Sequence, residues 1–320
     1  MTTRPLLGNG QRTVRPTPSS NDANRGALGA FLAYFLWGIF PLFWKQLRAI
    51  DAVELIAHRM VWSFLLLLVI LAIRHRGTTW WQRWSQPRTL AWSLLSGSLL
   101  TANWLIFVWA VNHGFVIECS LGYFLVPLIN ALLGRLVFQE ILRPGQGVAL
   151  ALAAFGVGIL VWQVGHVPWI GLGIALTFSL YGLLRKQSEL GPLTGLATET
   201  LLMAPFAVAW LAWRGLRGAP VFHHGDTSVI LWLLSTSVVT ATPLLLFAYG
   251  ARRLRMTTLG LLQYVAPTGQ FLLGWLLYDE AFTMPQATAF GFIWAGLACY
   301  SVDAWRAGHR ARRAPQPPTV

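Results

Sequence analysis

The length of its apolar blocks limits this chain more than any other feature. Runs of roughly 18 to 24 residues with few charges recur along it, and a helix needs about that length to cross about 30 Å of hydrocarbon. Of the 320 residues, 55% are hydrophobic and 11% charged. Average soluble domains carry about 25% charged residues, so charge is too scarce here to clothe a water-exposed surface. In lipid every backbone amide must find its partner within the segment, which makes each block a helix. The expected fold class is an all-α polytopic membrane protein with ten transmembrane helices. The spans fall roughly at 27–47, 52–73, 89–112, 116–139, 146–163, 167–186, 195–214, 228–250, 256–278 and 286–304. Short gaps force antiparallel neighbours, and none leaves room for a soluble domain.

Ten spans put both termini on one side of the membrane. Counted on that topology, nineteen of the 24 basic residues fall on the side of the termini and four on the other, with Arg59 inside the bilayer. Basic residues favour the cytoplasm, so both termini are expected there. The net charge of +13 is then the sum of this bias, and no nucleic-acid partner is needed to explain it. Residues 1–25, rich in Pro, Ser, Asn and Arg, read as a disordered cytoplasmic tail, and 306–320 as a basic one. Cys119 and Cys299 lie inside apolar segments without metal-like spacing and read as packing residues.

An internal repeat divides the chain. Tyr123, Pro127, Asn130, Gly134, Glu140 and Gln146 match Gln263, Pro267, Gln270, Gly274, Glu280 and Gln286 at a spacing of 140 residues. The stretch Leu28 to Gly38 matches Leu172 to Gly182, which pairs Trp37 with Tyr181, and Thr101-Ala102 matches Thr240-Ala241. The halves, 26–163 and 167–305, hold five spans each. An odd number reverses the second half, giving two inverted five-helix repeats (5+5), an architecture of many secondary transporters.

Polar residues inside the spans are the candidate site. Tyr123, Pro127, Asn130 and Gly134 share one helix face, as do Gln263, Pro267, Gln270 and Gly274 in the other half. Amides facing lipid are costly, so these stripes line a central cavity or pack helices closely. Asn103 and Thr242 occupy corresponding places in the two halves, as do Trp37 and Tyr181, whose rings suit either a solute or a core. Arg59 costs about 2.5–3.5 kcal/mol near a helix centre and needs a partner or water. Glu199 falls near the same place in the other half, but the two enter from opposite sides and lie about 12 Å apart in depth. They are therefore expected at opposite mouths of a cavity rather than as a direct pair; structural ion pairs with other partners are the alternative. Protons are a candidate coupling ion through His58, Glu199 or Glu118. Glu140 and Glu280 suit the positive N-terminus of the helix that follows each. His223-His224-Gly225-Asp226 reads as a polar outer loop or a metal site.

The chain has no Walker loop, no HExxH and no GxSxG, so neither an ATP-driven pump nor a cofactor is expected. The small-molecule binding set is Trp37, His58, Arg59, Asn103, Tyr123, Asn130, Tyr181, Glu199, Thr242, Gln263 and Gln270. An intramembrane enzyme or a sensor is the competing class. An enzyme would want a nucleophile–base pair or paired acids, and a sensor would want a soluble domain.

Several stretches resemble the RarD family. They are Ala33-Tyr34-Phe35-Leu36-Trp37-Gly38, His58-Arg59 with Val61-Trp62-Ser63-Phe64, Asn103-Trp104, and Ser120-Leu121-Gly122-Tyr123-Phe124. Tyr181-Gly182-Leu183 with Arg185-Lys186, Glu199-Thr200, and Arg253-Leu254-Arg255 through Gln263-Tyr264 complete the set. That family belongs to the EamA transporters of the drug/metabolite transporter superfamily. The resemblance implies ten helices in two EamA repeats, a bacterial plasma-membrane location and export of small molecules, without fixing a substrate.

Overall fold

Apolar blocks punctuated by Pro and Gly give helices with defined ends. In a computed structural model, which describes residues 20–47, 50–74, 86–113, 115–218, 227–277 and 283–313, the secondary structure is helical throughout. The helices are α1 (Ser20–Trp44), followed by a 3-10 turn (Lys45–Leu47), α2 (Ala52–Arg74), α3 (Pro87–Asn112), α4 (Val116–Phe138) and α5 (Pro144–Val164). Then come α6 (Trp169–Gln187), α7 (Pro192–Leu216), α8 (Thr227–Ala251), α9 (Met256–Gln263), α10 (Val265–Leu277) and α11 (Met284–Arg313). Pro87, Pro144 and Pro192 open their helices, where a missing N–H costs nothing. Gln139 closes α4 in the left-handed region (φ 53°), which turns the Glu140 N–H onto Gly134 O at 3.0 Å.

The ten expected spans are present, with two refinements. The ninth is broken at Tyr264 into α9 and α10. The first helix begins at Ser20 rather than 27, and the last runs to Arg313, so the expected tails overlap helix; residues 1–19 and 314–320 lie outside the described ones. Among the described residues, eight spans are long and apolar enough to cross a membrane by length and composition alone. The exceptions are α6, which carries Thr177, Ser179, Tyr181, Arg185 and Lys186, and the broken α9–α10. The polar side chains of α6 lower its apolar average, whereas α9 and α10, at 8 and 13 residues, are each too short to span alone. Outward-facing Leu136, Ile141, Trp162, Phe206 and Leu216 are more than half exposed, as a lipid-facing shell requires.

The principal neighbours have an internal symmetry. Helix α2 packs on α7, α4 on α9, and α5 on α11. Helix α1 packs on α8 and on α9–α10, just as α6 packs on α3 and on α4; α2 meets α8 as α3 meets α7. Exchanging each span for the one five places on returns the same pairs, a pattern consistent with two like-folded halves. At the centre Tyr34 and Trp37 of α1 meet Phe178 and Tyr181 of α6 around Phe247, with ring centroids 5.3 to 6.2 Å apart. Backbones close where side chains are absent: a Cβ on Gly122 would stand 2.8 Å from Gly171 O, and one on Gly38 3.2 Å from Ala266 O.

One face of the bundle, the basic face, is tied together by its connections. The Glu140 carboxylate accepts from Met256 N (2.7 Å), Thr257 N (3.2 Å) and Thr257 Oγ1 (2.8 Å), with Arg255 Nε at 3.6 Å. It therefore caps α9, across the half-to-half boundary, and not the helix that follows it. Helix α5 is capped locally instead, by Gln146 Oε1 accepting from Arg143 N at 3.1 Å. Glu280, its counterpart in the repeat, lies outside the described residues. Arg143 pairs with Asp303 at 2.7 Å, Arg255 Nη2 donates to Ile141 O at 2.6 Å, Lys186 donates to Leu254 O, and Arg252 to Leu190 O.

Candidate functional site

Four helices, α2, α3, α7 and α8, enclose a narrow, largely closed pocket. Its lining is Arg59, Met60 and Ser63 from α2, and Gly97, Leu100, Thr101 and Trp104 from α3. Helix α7 adds Leu196, Glu199, Thr200 and Met203, and α8 adds Thr240, Ala241 and Leu244. Twelve of these fourteen fall into pairs 140 residues apart: 59 with 199, 60 with 200, 63 with 203, 100 with 240, 101 with 241, and 104 with 244. The pocket therefore takes its walls from positions related by that 140-residue spacing.

Within that even arrangement the charges differ. Arg59 stands seven residues into α2 and Glu199 seven into α7, about 10 Å from opposite ends of the bundle. Each reaches across one of the two equivalent helix contacts. Arg59 Nε donates to Thr240 Oγ1 at 3.0 Å, from α2 to α8. Ser96 Oγ donates to Glu199 Oε1 at 2.6 Å, from α3 to α7. The Arg59 guanidinium carbon lies over the rings of Trp44 and Trp104, 4.6 and 4.4 Å from their centroids. Such cation–π contacts are worth about 2 kcal/mol or more when desolvated. Glu199 also accepts from Arg185 Nη1 at 3.1 Å and lies 3.5 Å from the Tyr181 hydroxyl. Arg185 and Glu199 are 1% and 2% exposed, so they form a buried ion pair. Arg185 Nη2 further donates to Pro192 O at 3.3 Å, and Gly195 leaves room for the guanidinium where a Cβ would clash.

Of the eleven residues singled out from sequence, Arg59 and Glu199 line this pocket, and no ion pair joins them. Trp37 and Tyr181 belong to the central aromatic cluster. Tyr123 lies beside Phe107 at 5.9 Å, within electrostatic reach of Arg59. His58 is buried within reach of Glu54, which pairs with Arg214 at 3.0 Å. Glu118 faces His166 at 3.6 Å. The α4 stripe packs directly against α9: a Cβ on Gly260 would stand 2.9 Å from Asn130 Cβ and 3.0 Å from Pro127 O, leaving no gap for a solute. Gln263 is buried in the last turn of α9, and Gln270 Nε2 donates to Trp37 O at 3.0 Å. Thr242 is exposed on the outer surface of α8, because one residue past Ala241 the helix has turned about 100° away from the pocket.

Asn103, also placed in the cavity from sequence, instead joins α3 to α6. Its Nδ2 donates to Ile174 O at 2.8 Å and to Thr177 Oγ1 at 3.0 Å. Asn103→Leu is expected to lower stability by about 1–2 kcal/mol, because it strands a buried carbonyl. Detergent melting of the purified variant checks this, and solute affinity should stay within about twofold of the parent.

Residues not singled out from sequence complete the site: Trp44, Ser96, Trp104, Arg185 and Thr240. Two signals could have found them. Thr101-Ala102 and Thr240-Ala241 stood in the repeat, and Thr101, Thr240 and Ala241 line the pocket. Arg185 follows Tyr181 by four residues, one turn on along the same helix face. Counted among the cytoplasmic charges, it is in fact fully buried.

Ten apolar spans around a central, partly charged pocket are the build of a membrane transporter. The chain belongs to the EamA-like transporter family, whose model matches residues 24–162 and again 167–302. It is 45% identical over 298 residues to an uncharacterized transporter of Pseudomonas aeruginosa, covering 92% of this chain and 98% of that one. Protein RarD of Streptomyces exfoliatus is 40% identical over 297 residues (92% and 93% covered), and Protein RarD of Escherichia coli 37% over 287 residues (89% and 96%). A crystal structure of a protein 19% identical superposes with a TM-score of 0.66 over 87% of this chain and 97% of that chain, a likeness of fold.

Proposed function

We propose that the chain is a secondary transporter that moves a small organic solute out of a bacterial cell by alternating access through the pocket between α2, α3, α7 and α8. The observation that carries this reading is the composition of the walls from positions 140 residues apart. If the two halves are inverted repeats, 26–163 and 167–305, then a cavity on the axis relating them can open to either side when the halves exchange conformations. The double match of the family model and the symmetric neighbour pairs support that relation. The basic face is the cytoplasmic one on this reading, since Arg143, Arg252, Arg253 and Arg255 lie there. Its closure by Glu140 and the loop contacts then describes a state shut on the inside.

Efflux from liposomes tests the proposal. Purified protein is reconstituted with a panel of labelled organic acids, amines and amino acids inside, with and without an imposed pH gradient. At least one solute should leave faster than from empty liposomes, and Ala241→Trp, which fills the pocket, should abolish that flux in folded protein. Equal flux through the filled variant, or none from the parent, contradicts the proposal. Acceleration by the pH gradient would add protons as the coupling ion.

A further inference from the structure

Arg59 is bound by the protein in a way that leaves half of its capacity unused. Arg59 Cζ lies over the rings of Trp44 and Trp104, and Thr240 holds Nε. Among the described residues, Nη1 and Nη2 have no hydrogen-bond acceptor, and no carboxylate pairs with the guanidinium. The side chain is nonetheless half-buried in the middle of an apolar bundle and lines the pocket. A guanidinium prefers to meet its partners in the plane of the group, edge-on, with two parallel N–H donors. Among the described residues no acceptor sits on the Nη1–Nη2 edge, while Nε is already held by Thr240.

The other charged groups decide what the edge is for. Glu199 is taken up by Arg185 and Ser96, so it has no negative charge to spare for an ammonium group. Arg59, Arg185 and Glu199 together carry a net charge of +1. A monoanion brings that to zero, whereas a zwitterion leaves it at +1 and a cation raises it to +2. The remaining wall, with Met60, Leu100, Trp104, Met203 and Leu244, is apolar. We infer that the pocket binds an organic monoanion, its carboxylate on the Arg59 Nη1–Nη2 edge and its apolar body along the α3–α7 wall. This rests on the transporter reading and names the class of solute that reading leaves open.

Calorimetry on the purified full chain tests it with four compounds that share one ring: phenylacetate, phenylacetamide, phenethylamine and phenylalanine. Phenylacetate is expected to bind at least about tenfold more tightly than each of the others, since only it presents an uncompensated carboxylate. Arg59→Gln should weaken phenylacetate binding by about 10- to 100-fold and leave phenylacetamide within twofold. Arg59→Lys, which keeps the charge but loses the planar fork, should fall between the two. Should Arg59→Gln fail to fold, the four-compound series on the unaltered protein decides alone. Equal binding of the amide, tighter binding of phenethylamine or phenylalanine, or no binding of any carboxylate from butyrate to phenylpropionate overturns the inference. Failure here is separable from failure of the transporter reading. Liposomal flux of an amine or amide without carboxylate binding would sink only the anion class. Carboxylate binding with no flux of any solute would sink only transport.

Discussion

Arg185→Met is expected to lower stability by about 3–5 kcal/mol, the largest loss of any single substitution in the charged site. The reason is the partner it leaves behind. Glu199 is 2% exposed and has Arg185 as its only counter-ion among the described residues. Removing one member of a buried pair strands the other charge where water cannot reach it, which costs far more than the net worth of the pair. The same argument predicts the remedy. In Arg185→Met combined with Glu199→Gln no charge is stranded, and the amide can still accept from Ser96, so most of the loss should be recovered. Detergent melting of the two single variants and the double variant gives the coupling directly. If Arg185→Met melts within about 1 kcal/mol of the parent, the pair is not a structural unit.

Glu140→Ala is the second large effect, about 2–4 kcal/mol. One carboxylate satisfies two backbone N–H groups of α9 and the Thr257 hydroxyl. Loss of an N-cap costs about 1–2 kcal/mol, and the stranded buried donors add to it. Glu140→Gln keeps one acceptor oxygen and should lose less than half as much. The position matters beyond stability, because the bonds run from the end of α4 to the start of α9. A weakened cap should loosen the basic face as well as lower the melting temperature. Hydrogen exchange checks this: the amides of Met256 and Thr257 should lose protection in Glu140→Ala while those of α2 and α7 do not.

The elements were legible in the sequence because hydrocarbon thickness sets a length and lipid forbids any other backbone solution. The break at Tyr264 was not, since Gln263 and Tyr264 interrupt no hydrophobic run strongly enough to divide it. Placement of the site was harder. Arg59 and Glu199 stood out because charge in a span is costly, and both line the pocket. The amide stripes of α4 and α9–α10 followed the same polarity rule, yet Gly260 brings α4 and α9 into contact and fills the space. Trp37 and Tyr181 illustrate a related limit, since a core ring and a binding ring have one sequence signature. Partners of charges were invisible for a different reason. Arg185 lies near the end of α6, where a basic residue ordinarily marks the cytoplasmic side, and only the fold turns it inward to Glu199. The repeat spacing of 140 carried more of the site than polarity did, for it pairs nearly every wall residue with another wall residue.

Accessibility of the pocket from each side tests the account most directly and requires no known solute. In a background with Cys119 and Cys299 replaced by serine, Met60→Cys and Thr200→Cys place a thiol at two paired positions of the wall. Each is exposed to a membrane-impermeant thiol reagent in right-side-out and in inside-out vesicles. Alternating access requires both cysteines to react from both sides. A disulfide between Glu140→Cys and Thr257→Cys, which locks the basic face, should then abolish labelling from the cytoplasmic side and leave labelling from the outside. Reaction from one side only in the unlocked protein, or cytoplasmic labelling unchanged by the lock, would contradict a carrier that opens its central pocket to the two faces in turn.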